Sequence, residues 1–209
     1  MHVLVIDYGM SNLGSIRRAL EECGASVVVS DDPRDIQNAS HIVLPGVGAF
    51  GDGMRNLNDQ GWTEKLRQTV REDGIPLLGI CLGMQLLADK GHEGGEHAGL
   101  GLVPGEVRRF VATADHERIP HVGWNEIKRT ADSPLLDNIG DGTDFYFVHS
   151  YHFVAGEQRC VLATTPYCGT FHAVVAKDNV FGVQFHPEKS GPMGFRLLSN
   201  FLNFWQVEA

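Results

Sequence analysis

The chain is short of basic residues, of cysteine and of long apolar runs, and each shortage removes a class of function. Seventeen Lys and Arg stand against 26 Asp and Glu in 209 residues, a net charge of −9, and no basic cluster interrupts the acidic balance. Nucleic acid and anionic membrane surfaces are therefore not expected as partners. The longest apolar stretch, residues 75–88, is shorter than the roughly 20 residues that span a bilayer, and it contains Gln85. Residues 1–6 (MHVLVI) have no basic leader and meet Asp7 at once, which reads as a first strand and not as a secretory signal. A cytoplasmic protein is expected. The four cysteines, Cys23, Cys81, Cys160 and Cys168, have no C-x-x-C spacing, so reduced thiols are expected and neither a metal site nor a disulfide framework is. Pro/Ser linkers, repeats and low-complexity blocks are also missing, and 1–209 reads as one domain, long enough to bury roughly 70% of its unfolded surface.

What is present alternates. Short apolar runs at 3–6, 26–29, 41–44 and 75–80 read as parallel strands. Between the first two, Leu13, Ile16, Leu20 and Cys23 line one helical face, with Ser11 or Asn12 as its cap. Trp62, Leu66 and Val70 put a helix over 61–71. Later strands are expected at 145–149, 160–164, 171–176 and 180–185, a hairpin turn at Lys177-Asp178-Asn179, and a closing helix over 191–205. The pattern predicts an α/β fold: a single three-layer domain with a mostly parallel central sheet, whose ligands sit beyond the carboxyl ends of the strands.

At one such end stands Gly79-Ile80-Cys81-Leu82-Gly83, a cysteine where an apolar strand gives way to a helix. A sharp strand-to-helix turn has no room for side chains two positions before or after its centre. G-x-C-x-G is therefore the cysteine form of the hydrolase nucleophile elbow. A buried structural cysteine is the alternative, and a nucleophile also needs a base. The strand at 180–185 runs into His186-Pro187-Glu188, where alternate residues share a side, so the Glu188 carboxylate can hold the imidazole while its other nitrogen faces a thiolate. The loop Pro45-Gly46-Val47-Gly48-Ala49-Phe50-Gly51 contains G-x-G-x-x-G, but it follows the third strand and no acidic strand end follows it at dinucleotide spacing. An oxyanion hole is the better reading, with N–H groups at Val47 or Gly48 and at Leu82. His92, Glu93 and His97 suggest metal ligation, yet their spacing is not H-E-x-x-H and the glycines around them argue against a helix. His149 and His152 have no carboxylate at short spacing and read as supporting or surface residues.

The elbow GICLGMQ, the PGVG loop and the QFHPEKSG segment at 184–191 together resemble those of class I (triad) glutamine amidotransferases. DYGMSNL at 7–13, PHVGWN at 120–125 and FYFVHSY at 145–151 narrow the resemblance to the HisH family, the glutaminase subunits of imidazole glycerol phosphate synthase, and it extends from Asp7 to about Phe204. The resemblance implies a flavodoxin-like fold and a hydrolase and lyase subunit of histidine biosynthesis, with Cys81, His186 and Glu188 as the triad. Gly46, Gly48, Gln85, Ser150 and Tyr151 match positions that hold the amino-acid end of glutamine. It further implies a heterodimer with a (βα)8-barrel cyclase subunit that receives the ammonia, met through Asn12, Trp124, Asn125, Tyr146 and Lys189. Neither cofactor nor metal is implied. The glutaminase fold accounts for the whole sequence, so the acceptor chemistry is expected on another chain. Cys168, Ser11 and Met10 depart from the family pattern away from the triad. A paralogous glutaminase feeding an amidino-sugar pathway, a non-catalytic docking subunit and a cysteine hydrolase that acts without a partner are the alternatives.

Overall fold

A computed structural model describes residues 1–114 and 117–204. The first half alternates: β1 (His2–Ile6), α1 (Leu13–Glu22), β2 (Ser26–Ser30), β3 (His41–Gly46), α2 (Phe50–Asp59), α3 (Trp62–Glu72), β4 (Leu77–Cys81) and the short α4 (Leu82–Leu86). The second half is mainly extended. It comprises β5 (Lys90–Gly91), β6 (His97–Ala98), β7 (Gly105–Arg109), β8 (His121–Arg129), β9 (Thr143–His149), β10 (Tyr151–Ala155), β11 (Val161–Thr165), β12 (Phe171–Lys177) and β13 (Val180–Val183), and ends in α5 (Gly191–Leu202).

Nine strands form the central sheet in the order β2-β1-β3-β4-β13-β12-β11-β8-β9. The β2 to β13 portion is parallel and the remainder antiparallel. A second sheet, β10-β7-β5-β6, lies beside it. Side-chain alternation builds the three layers. Val3, Val5, Leu78 and Ile80 face one apolar cluster with α1 and α5, while Leu4, Ile6 and Leu77 face another with α2 and α3. Each fully buried aliphatic or aromatic side chain contributes about 1.5–3 kcal/mol, and a one-residue slip would exchange the two faces. Register is therefore tightly specified.

Several boundaries differ from the sequence expectation, among them the strand expected at 180–185, which ends at Val183 so that His186-Pro187-Glu188 enters a 3-10 turn instead of continuing extended. The strand at 75–80 begins at Leu77 and ends on Cys81, because Pro76 has no N–H for the ladder and offers only its carbonyl, 2.8 Å from the Ile42 nitrogen. Gly61, at φ 80°, precedes α3 and is not part of it. Cys160 sits in a 3-10 turn ahead of β11. The closing helix ends at Leu202, and Trp205 lies outside the described residues. The second sheet and β8 were not foreseen: β5 and β6 have two residues each, and β8 is polar or exposed along most of its length.

Candidate active site

Adjacent parallel strands bring the glycine loop, the cysteine and the histidine together at one end of the sheet, with Gly46 beside Cys81 in the β3–β4 register and Val183 beside Ile80 in the β4–β13 register. Cys81 turns β4 into α4 at φ 55°, ψ −109°, a backbone state that costs a non-glycine residue about 1–3 kcal/mol and is held only where surrounding structure enforces it. The flanking glycines are that enforcement. A Cβ on Gly83 would lie 1.7 Å from the Leu44 carbonyl oxygen, and one on Gly79 would lie 2.7 Å from the backbone of Gly83. Because these neighbours are backbone atoms, Gly83→Ala is expected to destabilise the fold by about 2–4 kcal/mol, measured as a lower urea midpoint; an unchanged midpoint would mean the turn is not close-packed.

Behind the nucleophile, His186 Nδ1 lies 2.8 Å from Glu188 Oε1, and both side chains are buried. His186 Nε2 has no hydrogen-bond partner and lines the same cleft as Cys81. Burial works against a charge on this imidazole, but Cys81 and Glu188 together outweigh it and push the pKa up to about 9. Ser190 fixes the histidine backbone: its hydroxyl donates to the His186 carbonyl at 2.6 Å and accepts from the Tyr146 N–H at 3.0 Å, while the His186 N–H bonds the Tyr146 carbonyl at 2.9 Å. The base is thus tied directly to β9.

A cleft of about 500 Å³ opens over these groups, lined among others by Gly48, Leu82, Gln85, Glu93, Ser150 and Tyr151. Gln85 donates to the Tyr151 carbonyl at 2.8 Å and to Gln184 Oε1 at 3.1 Å, and Gln184 Nε2 stands 3.8 Å from the sulfur. Gln184 was missed by sequence reasoning; its signal was an amide inside an apolar run. Glu93, considered there only as a metal ligand, accepts from the Phe50 N–H at 2.9 Å and brings a carboxylate to the cleft. Gly46 packs where a Cβ would strike the Tyr8 hydroxyl at 2.1 Å, which serves close packing of the loop; the Tyr8 hydroxyl is itself buried without a partner. Val47 departs from its expected part. Its N–H donates to the Met10 carbonyl at 2.8 Å, so it is not aimed at the sulfur, and Gly48 at φ 112° and Leu82 at the start of α4 remain the candidate oxyanion donors.

Of the remaining expected residues, Trp124, Tyr146 and Lys189 share one outer face. Trp124 is 58% exposed, packs edge-on against Tyr146 with ring centroids 6.1 Å apart, and has Val122 and Val148 beside it in the β8–β9 pairing. Lys189 lies over the Tyr146 ring at 5.8 Å, and Asn12 is exposed at the start of α1. Asn125 turns inward, to His121 and the Pro166 carbonyl. His149 and His152 are packed against Phe110 and Phe171 in an aromatic cluster. His92 pairs with Glu106 at 2.7 Å, and His97 covers Gly51. Among the described residues, no helix is long and apolar enough to cross a membrane.

Comparison with known proteins places this geometry in context. Residues 4–204 match the family described as Glutamine amidotransferase class-I. The chain is 49% identical over 199 residues to the imidazole glycerol phosphate synthase subunit HisH of Moorella thermoacetica, covering 95% of this chain and 93% of that one. It is also 49% identical to the HisH subunit of Salinibacter ruber, covering 94% and 92%. In fold it resembles PurLQS from Thermotoga maritima, with a TM-score of 0.72, 22% identity and 97% of each chain covered. A glutamine amidotransferase of the same organism superposes with a TM-score of 0.67 at 20% identity, covering 94% of this chain and 80% of that one.

Proposed function

The chain belongs to the class-I glutamine amidotransferase family, and from that premise we propose that it is the glutaminase subunit of imidazole glycerol phosphate synthase, acting in the cytoplasm in a heterodimer with the (βα)8-barrel cyclase subunit. The observation that carries the chemistry is a strained, buried Cys81 sharing a cleft with the free Nε2 of a His186 that Glu188 holds from behind.

Glutamine enters with its side-chain amide over Cys81. Glu93 meets the substrate ammonium, while Gln85 and the Ser150–Tyr151 backbone hold the amino-acid end. The Cys81 thiolate, paired with the His186 imidazolium, attacks the amide carbon, and peptide N–H groups at Gly48 and Leu82 receive the oxyanion. The imidazolium protonates the departing nitrogen, ammonia leaves, and a γ-glutamyl thioester remains. Water then attacks the thioester with His186 taking its proton, and glutamate is released with the Cys81 thiolate and the His186 imidazolium restored. Ammonia protonated by bulk water is no nucleophile, so it must pass to the acceptor without entering solvent. The exposed face of Val122, Trp124 and Tyr146 suits a partner that seals this passage, and Ser190 joins that face to the base. The partner uses the ammonia to convert a phosphoribulosyl-formimino carboxamide ribonucleotide into imidazole glycerol phosphate and an aminoimidazole carboxamide ribotide.

In the resting state the Val47 N–H is held on the Met10 carbonyl, and the glycines on either side let a bound partner turn this peptide so that it adds a donor to those of Gly48 and Leu82. Glutamate release should therefore be slow for the isolated chain and rise by about 10²–10³-fold with the barrel partner and its nucleotide, the worth of one oxyanion donor. Rates measured alone, with the partner, and with partner plus acceptor decide the matter; three equal rates would refute partner control. Acceleration only by a barrel from an amidino-sugar pathway would refute the histidine-pathway assignment.

A further inference from the structure

Two buried histidines, His121 on β8 and His149 lining the cleft, are hydrogen-bonded to each other, and their protons can be assigned from backbone groups whose roles are fixed. The Tyr151 carbonyl can only accept. His149 Nδ1, 2.8 Å away, must therefore carry a proton. That leaves His149 Nε2 as an acceptor, so His121 Nδ1, at 3.1 Å, must be the donor. His121 Nε2 is then an acceptor as well, and Asn125 Nδ2 supplies it at 3.2 Å. Asn125 is itself oriented by backbone: Nδ2 also donates to the Pro166 carbonyl at 3.1 Å, and its oxygen accepts the Glu126 N–H at 2.9 Å. One protonation pattern satisfies the whole chain, and both of its ends are pinned by peptide groups.

Packing holds the rings in place. His121 is stacked between Tyr167 at 3.9 Å and Phe147 at 4.9 Å, and His149 lies against Phe110 and Phe171 at 5.1 and 5.0 Å. Burial holds both imidazoles neutral, lowering His121 to about 4 and His149 to about 3. The other ionisable rings that face them are His152 and His186, near His149, and Tyr167, on His121. The chain ends where it matters chemically, because the Tyr151 carbonyl that accepts from His149 also accepts from Gln85, and Gln85 holds the Gln184 amide beside the sulfur.

We propose that Asn125, His121 and His149 form a hydrogen-bond relay, locked in the Nδ1–H tautomer, that positions the Tyr151 carbonyl and Gln85 for the amino-acid end of the substrate. His121 and His149 are positioning residues; neither touches the reacting atoms. The relay begins on β8 next to Trp124 and ends on the strand that holds the substrate, so it fixes one wall of the cleft relative to the outer face. Its loss should weaken substrate binding far more than it slows bond breaking.

The catalytic part of this inference rests on the glutaminase reading, so two measurements are needed. The first is ¹⁵N NMR of the imidazole nitrogens in the full chain, where His121 and His149 are expected as neutral Nδ1–H tautomers with unchanged shifts between about pH 8 and 5.5. An Nε2–H tautomer at either residue, or titration in that interval, overturns the relay whatever the protein catalyses. The second is steady-state glutamine hydrolysis in the complex with the barrel partner. His149→Leu should raise KM about tenfold with kcat within about threefold, and His149→Asn, which can place an amide N–H where Nδ1–H stood, should recover most of that loss. A fall in kcat at unchanged KM, or no recovery by asparagine, overturns the positioning role. If the wild-type complex releases no glutamate, the glutaminase reading fails, and the NMR result still decides the relay.

Discussion

Cys81→Ala is expected to abolish glutamine-dependent synthesis by the complex while synthesis from added ammonium salts continues near the wild-type rate. The size of the first effect follows from the bond that is lost: without sulfur there is no thioester, and nucleophile removal typically costs on the order of 10⁴-fold or more. The second follows from the division of labour, since the acceptor is bound by the partner. Alanine is the right substitution because it keeps a Cβ at φ 55°. Glycine would relax the elbow and confuse a chemical effect with a structural one. The same variant tests the electrostatics. Cys81 is one of the two groups that raise the His186 pKa against burial, so in Cys81→Ala the imidazole should titrate below the wild-type value of about 9, as read by NMR. Loss of both synthetic activities in a complex that still assembles would break the proposed separation of glutaminase from acceptor chemistry.

The parts of the site that were legible in the sequence are those written by local sterics. A turn that puts Cys81 at positive φ between a strand and a helix leaves Gly79 and Gly83 no room for a Cβ, and glycine at those positions is visible without a structure. The spacing of His186 and Glu188 is likewise short-range, although the extended segment expected there is absent: β13 ends at Val183, and a 3-10 turn over Pro187–Lys189 brings the carboxylate to 2.8 Å from the imidazole. The alternation that sends Val3 and Val5 to one face and Leu4 and Ile6 to the other is equally local, which is why the layered α/β architecture could be read.

What escaped depends on contacts between distant segments. Ser190 joins β9 to the base through partners 44 residues and four residues away, and no short motif encodes the first. Gln85 meets Gln184 across 99 residues, and Asn125, His121 and His149 come into line only through the β8–β9 register. Glu93 looked like a metal ligand because its neighbours in sequence are histidines; in the fold those histidines turn to Glu106 and Gly51, and Glu93 turns to the cleft. The Val47 N–H shows the same limit in one peptide. Glycines mark a loop able to turn its N–H groups either way, and only the Met10 carbonyl reveals which way this one points.

Substitutions at His186 and Glu188 should have unequal effects, because the two residues do different work. His186 moves protons to the leaving nitrogen and from the attacking water, so His186→Ala should lower kcat/KM by about 10²–10⁴-fold. It also leaves the Glu188 carboxylate buried without its partner at Oε1, and Glu188 Oε2 already has no hydrogen bond, so a loss of stability is expected alongside. His186→Gln, which can still donate to that carboxylate, separates the two: it should recover stability and leave catalysis as low as alanine does. Glu188→Ala keeps the imidazole and removes only its orientation and one cause of its raised pKa, so a smaller loss, about 10–10²-fold, is expected. The pH dependence carries a sign that tests this assignment. A pKa raised from 6.5 to about 9 means that the protonated imidazole contributes stability fully below about pH 6.5, and that the contribution disappears as pH rises through about 9. The imidazolium that protonates ammonia disappears over the same interval, so kcat/KM should fall on the alkaline side near pH 9, with the apparent value belonging to the Cys81–His186 pair. In Glu188→Ala, burial still pushes the imidazole down and one opposing group is gone, so the alkaline limb should move to lower pH. A limb that stays in place, or equal losses from His186→Ala and Glu188→Ala, would show that the carboxylate neither holds nor charges the base.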